Sequence, residues 1–114
     1  MSAITTHVLD TALGRPAVGI AVTLEQLDAG GGATTIGTGT TNDDGRVRDL
    51  LAPGTSAAPG AYRLRFETEA YFARDGREAF YPVVQVTFRV TAADAHYHVP
   101  LLLNPFGFST YRGS

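Results

Sequence analysis

Three segments of the chain alternate apolar and polar side chains with the period of two that is typical of half-buried β-strands. The clearest is residues 61–67, in which Tyr62, Leu64 and Phe66 alternate with two arginines and a glutamate. Residues 20–25 and 84–90 repeat the pattern, with bulky β-branched and aromatic residues at many of the inward positions. The pattern predicts half-buried antiparallel strands.

Turn-forming residues separate these segments at short intervals. Glycine, proline, asparagine and aspartate cluster at residues 14–16, 30–32, 42–45, 53–54, 59–60 and 75–76. Strands at this spacing predict a β-sandwich. One short helix is expected over residues 68–74, with Thr68 as its N-cap and Glu69 favourably placed near its N-terminus.

The composition is typical of one globular domain spanning residues 1–114. Hydrophobic residues make up 44% of the chain, charged residues 18%, and the formal net charge is −2, which argues against disorder and against a membrane protein. The arginines are scattered and lysine is absent, so no nucleic-acid partner is expected. The lack of cysteine excludes both a disulfide framework and a thiolate nucleophile. The first residues show no secretion signal, so we expect a cytoplasmic protein.

The three histidines are the side chains whose ordinary pKa lies nearest neutral pH. His7 and His98 fall on the outward faces of predicted strands, and each taken singly is explained by a surface or core-edge histidine held by one hydrogen bond. His96 and His98 are separated by one residue, so on a strand both can face the same way, and His7 could supply a third nitrogen. The three histidines could therefore form a zinc site with an open position. No nearby carboxylate supports such a site, and we expect no metal and no cofactor. No Gly-x-Ser-x-Gly motif indicates a serine hydrolase.

Arg46 and the last four residues complete the candidate chemistry. Arg46 follows the turn at residues 42–45, a rigid position for a guanidinium that orients a ligand with several carbonyl groups. A pair with Asp43 or Asp44 is the simpler alternative. The tail Tyr111–Ser114 combines an aromatic ring, a guanidinium, and a terminal hydroxyl and carboxylate. A tail of this kind needs a reason to be ordered, and we expect it to be built into an active site.

Several segments together resemble one known family. They are residues 4–11, 14–17, 44–46, 80–82, 96–103 and 109–114. These segments resemble the transthyretin-like family and, through the tetrapeptide Tyr111–Ser114, its 5-hydroxyisourate hydrolase branch, because transthyretin itself does not keep that tetrapeptide. Asn104 and Phe108 depart from the family pattern, in which serine and tyrosine are usual, but neither belongs to the expected site.

The resemblance implies an antiparallel two-sheet sandwich of about eight strands with one short helix, assembled as a homotetramer from two dimers. It also implies cofactor-free hydrolysis of 5-hydroxyisourate to 2-oxo-4-hydroxy-4-carboxy-5-ureidoimidazoline in urate catabolism. The implied catalytic residues are His7, Arg46, His98 and Ser114, and the implied substrate-binding residues are Tyr111, Arg112 and Gly113. We expect His98 to activate water and His7 to relay or donate a proton to the leaving ring nitrogen, although the two roles could be exchanged. A small-molecule carrier without enzymatic activity is the alternative.

Overall fold

Short alternating segments form strands along most of the chain in a computed structural model that describes residues 2–114. The strands are β1 (Ile4–Asp10), β2 (Arg15–Pro16), β3 (Ala21–Leu27), β4 (Ala33–Thr40), β5 (Arg46–Val47), β6 (Gly60–Phe66), β7 (Val84–Val90), β8 (Tyr97–Asn104) and β9 (Gly107–Thr110), and the helix is α1 (Thr68–Ala73). These nine strands and one helix, counted over residues 2–114, confirm the predicted fold class of a two-sheet sandwich with one short helix.

The strands pair into two sheets. One has the order β2-β1-β8-β9, with β5 also paired to β1, and the other has the order β4-β3-β6-β7. All pairs are antiparallel except β1 with β8, which run parallel with Thr5 beside His98 and His7 beside Pro100. The three segments predicted to form antiparallel strands do so, as β3, β6 and β7. The parallel β1–β8 pair is an exception within the antiparallel sandwich that the resemblance implies. It joins the first strand of the chain to a strand near its end.

The core lies between the two sheets and takes apolar side chains from both. Val8 and Leu101 contribute from the first sheet, and Leu64 and Phe66 from the second, all with essentially no exposed surface. The apolar and polar positions predicted for residues 61–67 therefore point inward and outward as expected. No helix within residues 2–114 is long and apolar enough to cross a membrane.

The helix forms where it was predicted, but its N-terminal cap is different. Glu67 occupies the N-cap position and makes no side-chain capping hydrogen bond. Thr68 lies inside the helix, fully buried, and its hydroxyl donates to the carbonyl of Tyr81 at 2.8 Å. The prediction of Thr68 as N-cap is therefore wrong, because this hydroxyl pairs with the loop that packs over the helix.

Strand β4 consists mainly of threonine and glycine, so it lacks the alternation of large apolar and polar side chains that predicts a half-buried strand. One of its glycines explains this composition. A Cβ at Gly37 would lie 1.8 Å from the carbonyl oxygen of Leu50, so the loop backbone crosses this position at a distance that only glycine permits. The need for close approach has replaced the usual alternation of side chains.

A buried carboxylate ties the end of β1 to the helix region. Asp10 is fully buried, and its Oδ2 accepts hydrogen bonds from Arg77 at 2.8 Å and from the hydroxyl of Tyr71 at 2.7 Å. Its Oδ1 accepts from the backbone N–H groups of Ala12 and Leu13. Burial raises the pKa of Asp10, but the hydrogen bonds from Arg77, Tyr71 and Leu13 outweigh it and hold the pKa below its ordinary value.

We expect Arg77→Gln to lower the free energy of unfolding by about 3 kcal/mol, because it leaves a buried carboxylate without its charge partner. Urea denaturation measures the change. The matched control is Arg65→Gln, which breaks an ion pair with Glu67 whose side chains are 42% and 39% exposed, and which should cost less than about 1 kcal/mol. Equal losses in the two variants would contradict the structural role assigned to Arg77.

Candidate functional site

Strand register places three of the predicted site residues on one outer face of the first sheet. Arg46 on β5 is the direct antiparallel partner of His7 on β1. His98 on β8 is the parallel partner of Thr5, which lies two residues before His7 on the same face of β1. Residues directly opposite each other on neighbouring strands point to the same side of a sheet. The pairing therefore gathers residues that are far apart in the sequence.

The turn before β5 holds Arg46 in place. The side-chain oxygen of Asn42 accepts hydrogen bonds from the backbone N–H groups of Asp44 at 2.9 Å and Arg46 at 3.0 Å. The backbone N–H of Asn42 in turn donates to the carbonyl of Arg46 at 2.9 Å. Among residues 2–114, Arg46 forms no ion pair, so the alternative in which Asp43 or Asp44 pairs with it is not found.

The tail is bonded to β8 beside the histidine. The backbone N–H of Gly113 donates to the carbonyl of His98 at 2.8 Å, and the two residues form an antiparallel bridge. A Cβ at Gly113 would lie 2.6 Å from Cδ2 of His98 and 3.3 Å from the ring of Pro100. Glycine is therefore required for the tail to pass this close to the imidazole, and Ser114 follows at the edge of the same site.

These elements surround a cavity of about 530 Å³. Six of the seven predicted site residues line it, namely His7, Arg46, His98, Tyr111, Gly113 and Ser114. Four further residues line it that were not predicted as site residues, namely Thr5, Thr6, Arg48 and His96. The cavity thus carries two guanidinium groups and three imidazoles, and the side chains that line it include no carboxylate. It is a polar site that favours negative charge and carbonyl oxygens.

Arg112 is the predicted site residue that does not line this cavity. Its guanidinium carbon lies 4.6 Å from the ring centroid of Tyr97, in a cation–π contact. It lines a neighbouring, less polar cavity of about 290 Å³ that also includes Val86 and Phe88. Tyr111 lines both cavities, whereas Arg112 lines only the second of the two.

Both predicted catalytic histidines favour the neutral form. Burial lowers the pKa of His98, and the charges of Arg46, His96 and His7 act in the same direction. Burial and Arg46 likewise lower the pKa of His7, and they outweigh the opposing effect of Asp44. Both imidazoles are therefore neutral at neutral pH, the state in which a histidine can accept a proton from water.

The Thr5 hydroxyl connects two of the histidines. Its Oγ1 lies 2.8 Å from Nδ1 of His98 and 3.0 Å from Nε2 of His96. The two rings lie nearly parallel, with centroids 6.3 Å apart and planes inclined by 20°. His96 and His98 therefore face the same way, as their spacing predicted. Thr5 itself carried no signal in the sequence beyond its place two residues before His7, because threonine is an ordinary strand residue.

The three histidines do not form a metal site. Within residues 2–114, no group of three or more histidine, cysteine, aspartate or glutamate side chains is arranged so that it could hold a metal ion.

The two departures from the family pattern lie in the β8–β9 hairpin. Asn104 accepts a hydrogen bond from the N–H of Phe106 there, and Phe108 packs edge-on against Tyr81.

Comparison with known proteins gives the same family as the sequence motifs. Residues 4–113 match the model described as the HIUase/Transthyretin family. A 5-hydroxyisourate hydrolase of Mus musculus is 47% identical, over 99% of this chain and 96% of the mouse protein. The structure of Klebsiella pneumoniae 5-hydroxyisourate hydrolase is 40% identical with a TM-score of 0.82, over 97% of this chain and 98% of that one. The structure of sea bream transthyretin with thyroxine is 33% identical with a TM-score of 0.90, over 98% and 95% of the two chains. The chain therefore belongs to the HIUase/transthyretin family.

Proposed function

We propose that this protein is a hydrolase that converts 5-hydroxyisourate to 2-oxo-4-hydroxy-4-carboxy-5-ureidoimidazoline in urate catabolism. The observation that carries the proposal is that His7, Arg46, His98 and Ser114 line one polar cavity. Relatives at 44% to 50% identity over nearly the whole chain that are named 5-hydroxyisourate hydrolase support the same substrate. The reaction needs an activated water, a positioned substrate and stabilisation of a developing oxyanion, and it needs no cofactor.

His98 is the proposed base. Within residues 2–114 its Nε2 has no hydrogen-bond partner, whereas its Nδ1 contacts Thr5. Nε2 can take a proton from a water molecule while the water oxygen attacks a ring carbonyl of the substrate. The ring C–N bond then breaks, and the leaving nitrogen must receive that proton. We assign the relay to His7, which lies on the same face: neutral His7 receives the proton from His98 and passes it to the leaving nitrogen, so that both rings end neutral. The two histidines could exchange roles.

Arg46 is the proposed electrostatic catalyst. Its guanidinium has no ion-pair partner within residues 2–114 and lines the cavity, so it is available to hold a carbonyl oxygen and to stabilise the negative charge that develops there. Arg48 adds a second positive charge to the same wall. The hydroxyl of Ser114 is proposed to bind or orient the substrate beside His98, together with Tyr111 and Gly113 of the tail.

Arg112 remains a proposed substrate-binding residue, although it does not line the cavity and would have to move to reach the substrate. Its side chain is exposed and rests on the Tyr97 ring. An exposed cation–π contact is worth only about 0.5–1 kcal/mol, so a bound substrate with several carbonyl groups can compete for this guanidinium. Arg112 would then reach the site only by turning away from Tyr97.

We also propose that the protein works as a homotetramer, a dimer of dimers, in the cytoplasm. The support within the chain is a set of large exposed apolar side chains that solvent does not favour. Phe80 and Phe106 are each 65% exposed, and Tyr111 at the cavity is 57% exposed. Exposed aromatic groups of this size are typical of surfaces that are covered in an assembly.

A carrier without enzymatic activity is the second candidate. The observation that favours it is the TM-score of 0.90 to sea bream transthyretin in complex with thyroxine. The composition of the cavity argues against it, because two arginines and three histidines line the wall and offer little apolar surface to a hydrophobic ligand. Fold likeness alone does not separate a carrier from a hydrolase.

The direct test generates 5-hydroxyisourate in situ from urate with urate oxidase and follows its ultraviolet decay. We expect the wild-type protein to accelerate the decay. His98→Ala should lower kcat/KM by a factor of about 100 or more, because the general base is lost. Arg65→Gln, which lies on the other sheet, is the control and should keep full activity. A folded wild-type protein that leaves the decay unchanged would refute the hydrolase and direct attention to ligand binding.

The pH profile follows from the direction of the histidine pKa shifts. A lowered pKa means that the imidazoles become protonated only below their ordinary value of 6.5. We therefore expect kcat/KM to fall as the pH is lowered, with the midpoint of the fall below 6.5, since protonated His98 cannot accept a proton. The uncatalysed decay is subtracted at each pH. A loss of activity that is half complete above 6.5 would contradict the neutral base.

The close approach of the tail to His98 gives a test with a matched control. Gly113→Ala places a methyl group against Cδ2 of His98, and we expect the displacement to lower kcat/KM by about 100-fold. Gly107→Ala is the control in the same C-terminal hairpin, because a Cβ there would meet only Asn104 at an ordinary 3.7 Å. Activity and urea denaturation are measured for both. Equal activity in the two variants would show that the position of the tail against His98 does not matter.

A further inference from the structure

The Thr5 hydroxyl is buried between two imidazoles and has a single proton to share. Thr5 is 4% exposed, and its Oγ1 lies within hydrogen-bond distance of Nδ1 of His98 and of Nε2 of His96. A hydroxyl donates one hydrogen bond and accepts others. It can therefore donate to only one of the two histidines, so at least one of the rings must donate to it, and the protonation of the two rings is linked through this one oxygen.

We propose that Thr5 accepts a hydrogen bond from Nδ1–H of His98 and donates its own proton to Nε2 of His96. His98 is then held in the tautomer whose Nε2 is unprotonated, which is the form a base requires. Thr5 is thus a positioning residue that acts through His98. The catalytic part of this inference rests on the proposed hydrolase function, whereas the tautomer itself does not.

The geometry around His98 supports this arrangement. The parallel register places Thr5 directly beside His98, and Gly113 packs on the Cδ2 edge of the ring, opposite the Nδ1 edge. The imidazole is therefore held on both edges and cannot turn freely. The only side-chain nitrogen or oxygen in residues 2–114 that is both buried and unpaired belongs to Arg77. The unpaired Nε2 of His98 is therefore not buried, and His98 is among the residues that line the cavity.

The positive charges that line the cavity favour the same assignment of donor and acceptor between Thr5 and His98. Arg46 and Arg48 line the cavity that His98 faces. A ring nitrogen with a free lone pair is attracted to these positive charges, whereas an N–H group in the same place is repelled. His96 is exposed, so its Nδ1–H can donate to water when its Nε2 accepts from Thr5. The opposite arrangement would place an N–H of His98 in a cavity that two guanidinium groups also line.

The test combines the tautomer with kinetics. The ¹⁵N NMR shifts of the histidine rings distinguish Nδ1–H from Nε2–H, and we expect wild-type His98 to carry its proton on Nδ1. Thr5→Val removes the hydroxyl while keeping the shape, and should abolish this preference and lower kcat about 10- to 100-fold, with little change in KM. Thr5→Ser keeps a hydroxyl and should restore both.

Two further variants separate positioning from stability. Thr41→Val is the matched control, because Thr41 is 3% exposed and its hydroxyl also has two partners, the N–H of Ile20 and the carbonyl of Ala17. It should lower stability while keeping the NMR pattern of His98. His96→Phe removes an exposed ring and leaves the fold intact. It removes the acceptor of the Thr5 proton, so Thr5 can donate to His98, the preference of His98 for Nδ1–H should weaken, and kcat should fall.

The outcomes distinguish this inference from the proposed function. Wild-type His98 with its proton on Nε2, or a Thr5→Val variant with wild-type kcat and tautomer, would overturn the inference even if the enzyme is fully active. A wild-type protein that carries the Nδ1 proton but does not hydrolyse 5-hydroxyisourate would refute the function and leave the tautomer assignment standing. Loss in Thr5→Val with recovery in Thr5→Ser supports the inference.

Discussion

The candidate site depends on the parallel pairing of β1 with β8. This pair brings Thr5 beside His98 and fixes His7 two residues further along the same face. Side chains on a strand alternate between the two faces, so a slip of one residue would turn the histidine of either strand into the apolar core. The core opposes such a slip, because Val8 and Leu101 are fully buried on the other face of the same strands. Packing of the sandwich and geometry of the site are thus set by one register.

The buried network at Asp10 secures the far end of the same strand. Asp10 is the last residue of β1. Tyr71 reaches it from the helix, and Arg77 reaches it from the loop that follows the helix. A carboxylate without exposed surface is tolerated only because four donors satisfy it. Its specific partners fix where β1 ends relative to the helix. The strand that carries Thr5 and His7 is therefore held at its far end by this network.

The sequence predicted what depends on local patterns and missed what depends on partners distant in the chain. Alternation identified the strand at residues 61–67 and the segment at residues 84–90, and His96 and His98 share a face because a strand repeats every two residues. The parallel pair could not be predicted in this way, because direction depends on connections and not on side-chain pattern. The contact of Arg112 with the Tyr97 ring likewise joins residues that are distant in the chain, and no local pattern indicated it. The assignment of Arg112 to the site, made by resemblance, stays a prediction.

Arg46 contributes both to the charge of the cavity and to the neutrality of its histidines, whose pKa values are lowered first by burial. Arg46 lowers the pKa of both His7 and His98, because a positive charge nearby disfavours a second one. The same charge attracts the negative oxygen that forms when water adds to a carbonyl. In the proposed mechanism, this guanidinium thereby adds to the effect of burial in keeping His98 unprotonated before reaction, and it stabilises the charge that His98 helps to create. An apolar ligand would gain nothing from either effect, and for this reason the site's electrostatics favour hydrolysis over carriage.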